Sequence, residues 1–320
     1  MSAKPFPSPD RLRAVCFLLL TAACTIGLAI SFSLIRQDGT SPNAEKEVPL
    51  SARISNYDEI IASIRHGLGD HAEYITVAFT CEENIQKELA AAAADWVESA
   101  LAETGDPTEG DYIRYQSGGY EIACTCDPMD GGRYQCTVKI TPDHYLYLAQ
   151  EEEVTAAIEA LEADFGFTQD TSDYEKIRTV YGWLCSHVKY DTVHRRNENA
   201  HIRSTAYAAV IWRTAACQGY SVTLYRLLRD AGIGCRVVTG IAQRVDNSVE
   251  FHAWNIVEVE GKWYHLDATW DAGRENWEYF LRGKEDFSDH TLGKSFADKD
   301  FASRYAISAK DYPCQENARA

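Results

Sequence analysis

Phe251-His252-Ala253-Trp254-Asn255, followed by Trp263-Tyr264-His265-Leu266-Asp267-Ala268-Thr269-Trp270-Asp271, decides how this chain is read. Phe251–Val259 and Lys262–Thr269 are two β-type runs separated by Glu260-Gly261, the spacing of a two-residue hairpin. In that register Val259 pairs with Lys262, Trp254 faces Asp267 and His252 faces Thr269. Side chains on a strand repeat every two residues, so Asp267 becomes the diagonal neighbour of His252 on one face, about 7–8 Å away at Cα. One ribbon thus presents an imidazole and a carboxylate within mutual reach. Asp271 shares the strand parity of Asp267 but lies beyond the run, so the register favours Asp267 as the partner. His265, opposite Ile256, reads as structural.

Upstream stands Thr214-Ala215-Ala216-Cys217-Gln218-Gly219-Tyr220, and then a helical spacing of Val222, Tyr225 and Leu228–Arg229 that stops at Gly232. Cys217 therefore sits at a helix start. The unpaired N–H groups and positive dipole end there favour a thiolate and can receive a developing oxyanion, with Gln218 supplying at least its backbone N–H. A lone cysteine packs as a small hydrophobe; a cysteine at a helix mouth, followed in order by histidine and aspartate, reads as a nucleophile. Trp254, Trp263 and Trp270 read as walls of the cleft.

The helix start Cys217-Gln218-Gly219-Tyr220, the run His252-Ala253-Trp254-Asn255 and the stretch from Trp263 to Asp271 together resemble the transglutaminase-like superfamily, in its bacterial extracytoplasmic branch. The likeness runs from about Ser172 to Tyr312 and takes in a helix ending at Val188-Lys189-Tyr190-Asp191 and the segment Tyr279-Phe280-Leu281. It implies an α+β fold with a papain-like core, in which the helix bearing the cysteine packs on an antiparallel sheet. It also implies Cys217 as nucleophile, His252 as general base and then acid, and Asp267 as orienter. Tyr190 matches by context an aromatic that related enzymes turn towards the oxyanion. The implied chemistry is cleavage or transfer at amide bonds of a peptide or protein through a thioester, with envelope peptides as one candidate substrate. The acidic loops and β-sandwich domains of animal transglutaminases are not visible, so neither calcium nor any other metal or cofactor is expected. Two further readings stay open: a small-molecule thioester acyltransferase, which would need a basic pocket, and a catalytically silent tethered binding or scaffold module.

The 320 residues are 45% hydrophobic and carry a net charge of −17, enough chain for two modest cores and the wrong sign for a nucleic-acid partner. Ala14–Ile35 is uncharged, bracketed by Arg11 and Arg13 before it and Arg36 after it, and long enough to cross a bilayer. It reads as an uncleaved single-pass anchor with the bulk of the chain outside the cytoplasm. The expected organisation is a tail at 1–13, a transmembrane anchor at 14–35, a linker at 36–51, a small α+β module at 52–145, a connecting helix at 146–171 and the catalytic domain at 172–313.

Within the module, helices are expected at Tyr57–Leu68 and Asn84–Thr104, with strands at Tyr74–Phe79, Tyr112–Cys126 and Arg133–Ile140. Glu151–Phe165 reads as a helix, and Ser172-Asp173-Tyr174-Glu175 as a capping box opening another. Asn197–Ser204 reads as an exposed loop, Cys235–Ile241 as a strand and Arg282–Ala320 as irregular. Outside the apolar run stand Cys81, Cys124, Cys126, Cys136, Cys185, Cys217, Cys235 and Cys314. Extracytoplasmic placement suggests a bridge from Cys136 to Cys124 or Cys126 across the hairpin. A zinc site there would need a fourth ligand that the spacing does not offer.

Overall fold

The computed structural model describes residue 54, residues 56–194 and residues 200–313. The expected anchor at 14–35, its linker and Cys314 lie outside the described residues. Among the described residues, no helix is long and apolar enough to cross a membrane.

The first part runs α1 (Tyr57–Gly69), β1 (Ile75–Cys81), α2 (Gln86–Ala100), α3 (Asp111–Arg114), β2 (Ser117–Pro128) and β3 (Tyr134–His144). The strands form an antiparallel sheet in the order β1-β3-β2. Ile60, Ile61, Ile64 and Leu68 recur at helical spacing on α1, and Ile75, Val77 and Phe79 alternate along β1. Together with Leu89, Trp96 and Val97 of α2 they close one apolar core against Cys136, Val138 and Ile140 of β3. The strand expected from Tyr112 begins instead as α3 and becomes extended only at Ser117. The cause is Gly110, whose φ of 60° turns the chain and sends Asp111 inward. Cys126 and Cys136 stand directly opposite one another and form a disulfide, which resolves the choice between Cys124 and Cys126. Cys81 Sγ lies 3.4 Å from Cys136 Sγ.

The second part runs α4 (Leu148–Phe165), α5 (Asp173–His187), β4 (Lys189–Tyr190), α6 (Ala206–Val210), β5 (Thr214–Ala215), α7 (Cys217–Asp230), β6 (Cys235–Gln243), β7 (Val249–Val259), β8 (Lys262–Leu266), α8 (Ala268–Asp271), β9 (His290–Leu292) and α9 (Lys299–Arg304). The capping box is present: Ser172 Oγ accepts the Glu175 N–H at 3.3 Å, and Glu175 accepts the Ser172 N–H at 2.9 Å. β8-β7-β6-β9 is an antiparallel sheet, with the short parallel pair β4-β5 beside it in sequence. α7 docks on β7 through the Asn255 amide, which donates to the Ser221 carbonyl at 2.9 Å. At the start of α7, a Cβ on Gly219 would lie 2.8 Å from the Arg203 carbonyl and 2.9 Å from that of Thr205, so only glycine lets the helix sit there.

Three further expectations need correction. The hairpin register holds from Val259↔Lys262 to Asn255↔Leu266, and Glu260 and Gly261 both take the positive φ of a type I′ turn. The ladder then stops, however, so the Trp254–Asp267 and His252–Thr269 pairs do not form. Asp267 Oδ1 accepts the N–H groups of Thr269 at 2.9 Å and Trp270 at 3.2 Å, and this N-cap converts the end of the expected strand into α8. Residues 202–204 are a buried 3-10 turn rather than exposed loop, because the Arg203 guanidinium donates to the Asp191 carbonyl and its own carbonyl accepts Ala216 N–H at 2.7 Å. The stretch after Arg282 contributes a strand, β9, which pairs with β6 through Gly240↔Leu292 and Ala242↔His290.

Candidate active site

Cys217 is the first residue of α7, after an extended Ala216. Its first-turn N–H groups have no partner within the helix. The side chain is 7% exposed, and its sulfur meets the His252 ring and the Ala253 backbone N–H. Burial alone would raise the thiol; the hydrogen bond and charge of His252 outweigh it and bring the group below its ordinary value.

His252 enters from β7 at the point where β8 has already ended, so no neighbouring strand crowds that side. Its Nε2 lies 2.7 Å from Asp267 Oδ2, leaving Nδ1 for the sulfur. Burial would lower the imidazole, but the Asp267 carboxylate and the Cys217 sulfur push it up to about 10. Burial would likewise raise Asp267, yet His252 and His290 hold it well below the usual carboxylate range. The Cys217 and His252 shifts run in opposite directions, each favouring the charged form of its group beside the other.

The Gln218 side chain is turned away, donating to the Tyr115 carbonyl, so only its backbone N–H faces the helix mouth. Tyr190 sits on β4 opposite Ala215, 42% exposed, with its hydroxyl accepting from Arg203 and close enough to Cys217 to feel its charge. Trp254 does not line a cleft: it is 1% exposed and donates from Nε1 to His265 Nδ1 at 3.0 Å. Gly240 makes the room, since a Cβ there would come within 2.9 Å of the indole. Trp270 is half-buried beside His252, with ring centroids 5.5 Å apart, and Trp263 packs on Tyr305 away from the site. Asp271 does not reach His252. It accepts Tyr181 Oη–H at 2.7 Å and the N–H groups of Glu278 and Tyr279, fastening the following loop.

The sequence reading missed His290. It is buried on β9 with Nε2 3.2 Å from Asp267 Oδ2. His252, Asp267 and His290 offer ligand atoms all within 4.8 Å of one another, a set that could hold an ion. The Oδ2 contacts, at 2.7 and 3.2 Å, are N–H···O lengths, so an ion would have to displace both bonds.

Residues 163–268 match the family model described as the transglutaminase-like superfamily, a span that contains Cys217, His252 and Asp267. Kyphoscoliosis peptidase from Mus musculus is 34% identical over 111 residues, and that from Homo sapiens 33% identical over the same length; each match covers 32% of this chain. The matched stretch is 16% of each relative, so the chain spans only a small part of their length. A solved structure described as a TGase aligns at 18% identity over 66% of this chain and 54% of that one, with a TM-score of 0.32, too loose a likeness to carry an argument. The match thus supports a transglutaminase-like domain over residues 163–268, about a third of the chain.

Proposed function

We propose that this protein is a thiol-dependent enzyme that cleaves or transfers at amide bonds of a peptide or protein, with Cys217 as nucleophile, His252 as proton carrier and Asp267 as orienter. The observation that carries the reading is the His252 Nε2 contact to Asp267 Oδ2 at 2.7 Å, with the Cys217 thiol at the start of α7 close enough to feel that ring. The thiolate adds to the amide carbonyl carbon, and the first-turn N–H groups receive the oxyanion. His252 gives its Nδ1 proton to the amine as the C–N bond breaks, leaving a thioester on the sulfur. Water then attacks with His252 taking its proton, and the acid departs as the thiolate is restored; an amine in place of water gives transfer. Hydrolysis is the preferred outcome, in keeping with the peptidase name of the matching relatives.

Intact-mass analysis after incubation with labelled peptides tests this. Acyl mass should appear on Cys217 and be hydroxylamine-labile. A protein that stays unmodified, with Cys217 alkylating no faster than a model thiol, would instead be a silent binding module.

The pH dependence follows from the two shifts. The pair needs Cys217 deprotonated, which its lowered pKa favours at a lower pH than for an ordinary thiol, and His252 protonated, which lasts until about pH 10. A profile of kcat/KM should therefore have its acid limb below the ordinary thiol value and its alkaline limb near 10. An alkaline limb near the ordinary imidazole value of 6.5 would contradict the ion pair.

The apolar run 14–35 is the proposed tether that holds the enzyme at a membrane, with the residues after it outside the cytoplasm. Deleting residues 1–36 should move the protein from the membrane fraction to the supernatant; an unchanged distribution would remove the tether.

A further inference from the structure

We propose that His290 is a positioning residue for Cys217, His252 and Asp267; the proposal rests on the amide-bond reading above and adds a residue to it. Its ring bridges two carboxylates. Nε2 lies 3.2 Å from Asp267 Oδ2, and Nδ1 lies 2.8 Å from Asp289 Oδ1. The other oxygen of Asp289 accepts the Tyr279 hydroxyl at 2.8 Å, while the Tyr279 carbonyl accepts the Asp267 N–H at 3.1 Å. Asp267 is thus fastened to the same loop through both its backbone and its side chain.

The carboxylate of Asp267 has its acceptor positions divided by role. Oδ1 holds the start of α8, and Oδ2 takes His252 and His290 together. Remove His290 and Oδ2 keeps one donor, on a carboxylate that is 1% exposed. The ring can then swing with the carboxylate, and His252 loses its fixed aim at the sulfur. Two carboxylates therefore hold the ring from both nitrogens and fix its orientation beside Asp267.

The surroundings allow little else. The His290 side chain has no exposed surface. Phe287 stacks on it at 4.2 Å, Trp270 packs at 4.6 Å and Trp254 meets it edge-on at 5.1 Å. The titratable groups facing it are Asp267, Asp289, Tyr279 at a ring distance of 5.6 Å, His252 at 5.4 Å, and His265 within electrostatic reach. The strand that carries it fits because position 240 is glycine: a Cβ there would fall 2.0 Å from the Thr291 carbonyl.

The test compares His290→Gln, which can return an N–H to Asp267, with His290→Phe, which cannot, in the full chain. Peptide turnover, the pH dependence of Cys217 alkylation by iodoacetamide, and thermal unfolding are read side by side. Phe should lower kcat by about 10- to 100-fold with KM little changed, the range typical of losing an outer hydrogen-bond partner. It should also move the acid limb of Cys217 alkylation to higher pH, because the thiolate loses an imidazole partner held in place by Asp267. Gln should recover most of both effects. A Phe variant with wild-type kcat and an unmoved limb would overturn the proposal. So would equal losses in Gln and Phe that follow the melting temperature while the limb stays in place, since that is a packing role alone. Alkylation needs no substrate, so the limb reads the role of His290 even where peptide turnover fails, and that failure would count against the amide-bond reading by itself.

Discussion

Cys217→Ala is expected to lower amide turnover by about 10⁴-fold or more while leaving the fold intact. Losing a covalent nucleophile removes the thioester route, and what survives comes from the helix-mouth N–H groups and binding. The structural cost is small, because alanine keeps the helix start and deletes one sulfur from a site that is already nearly buried; a change of about 1 kcal/mol in unfolding free energy is the usual scale. Selectivity of labelling checks the same point in the wild-type protein. Cys185 and Cys235 are both buried, and burial pushes each thiol well up, with the nearby acidic groups pushing the same way. A mild alkylating reagent should therefore mark Cys217 ahead of either. Peptide turnover in the alanine variant above about a hundredth of wild type would end the nucleophile assignment, on the scale set by that loss.

Asp111→Ala should produce the largest loss of stability, about 3–5 kcal/mol. Asp111 is 1% exposed and accepts Arg236 Nε at 2.7 Å, Arg236 Nη2 at 3.0 Å and the Val237 N–H at 2.8 Å. Truncation would leave the Arg236 guanidinium with only Glu103 and the Tyr305 ring nearby and would strip the Val237 N–H of its acceptor, and unsatisfied groups in such a place are costly. Glu103, 3.6 Å from Arg236 Nε, is too far to take over the bidentate contact. Urea unfolding measures the loss. Adding Arg236→Met should recover part of it, because the stranded charge goes with the side chain. A loss below about 1 kcal/mol would mean that the pair is solvated in solution, as exposed pairs are.

The parts of this molecule that could be read in advance are those written locally. Ser172 and Glu175 sit three residues apart and announce a helix start; Glu260-Gly261 sits between two alternating runs and sets their register. The order of Cys217, His252 and Asp267 was also readable, though the reach of Asp267 to His252 comes from a cap after the strand and not from the ladder. His290 escaped because β9 has three residues, too few to show a period, and its contact to Asp267 spans 23 positions. Asp111 and Arg236 are 125 positions apart, and nothing near either names the other. Trp254 looked like a cleft wall because an aromatic beside a reactive histidine suggests one; the space that buries it is made by Gly240 on another strand.

The helix that starts at Cys217 leans on residues well upstream of the matched segment. The Gln218 amide donates to the Tyr115 carbonyl and the Tyr225 hydroxyl to Glu103 Oε2 at 2.8 Å, while the neighbouring α6 is held by Ala206 N–H donating to Gln116 Oε1 at 2.7 Å. Expressing residues 163–268 alone would amputate these props along with His290, and an inert or insoluble product would then say nothing about the chemistry of the intact chain. A piece meant to preserve these contacts must include residues 103–116 and extend past Leu292, and substitutions between 103 and 116 are expected to disturb the helix start at Cys217 from a distance.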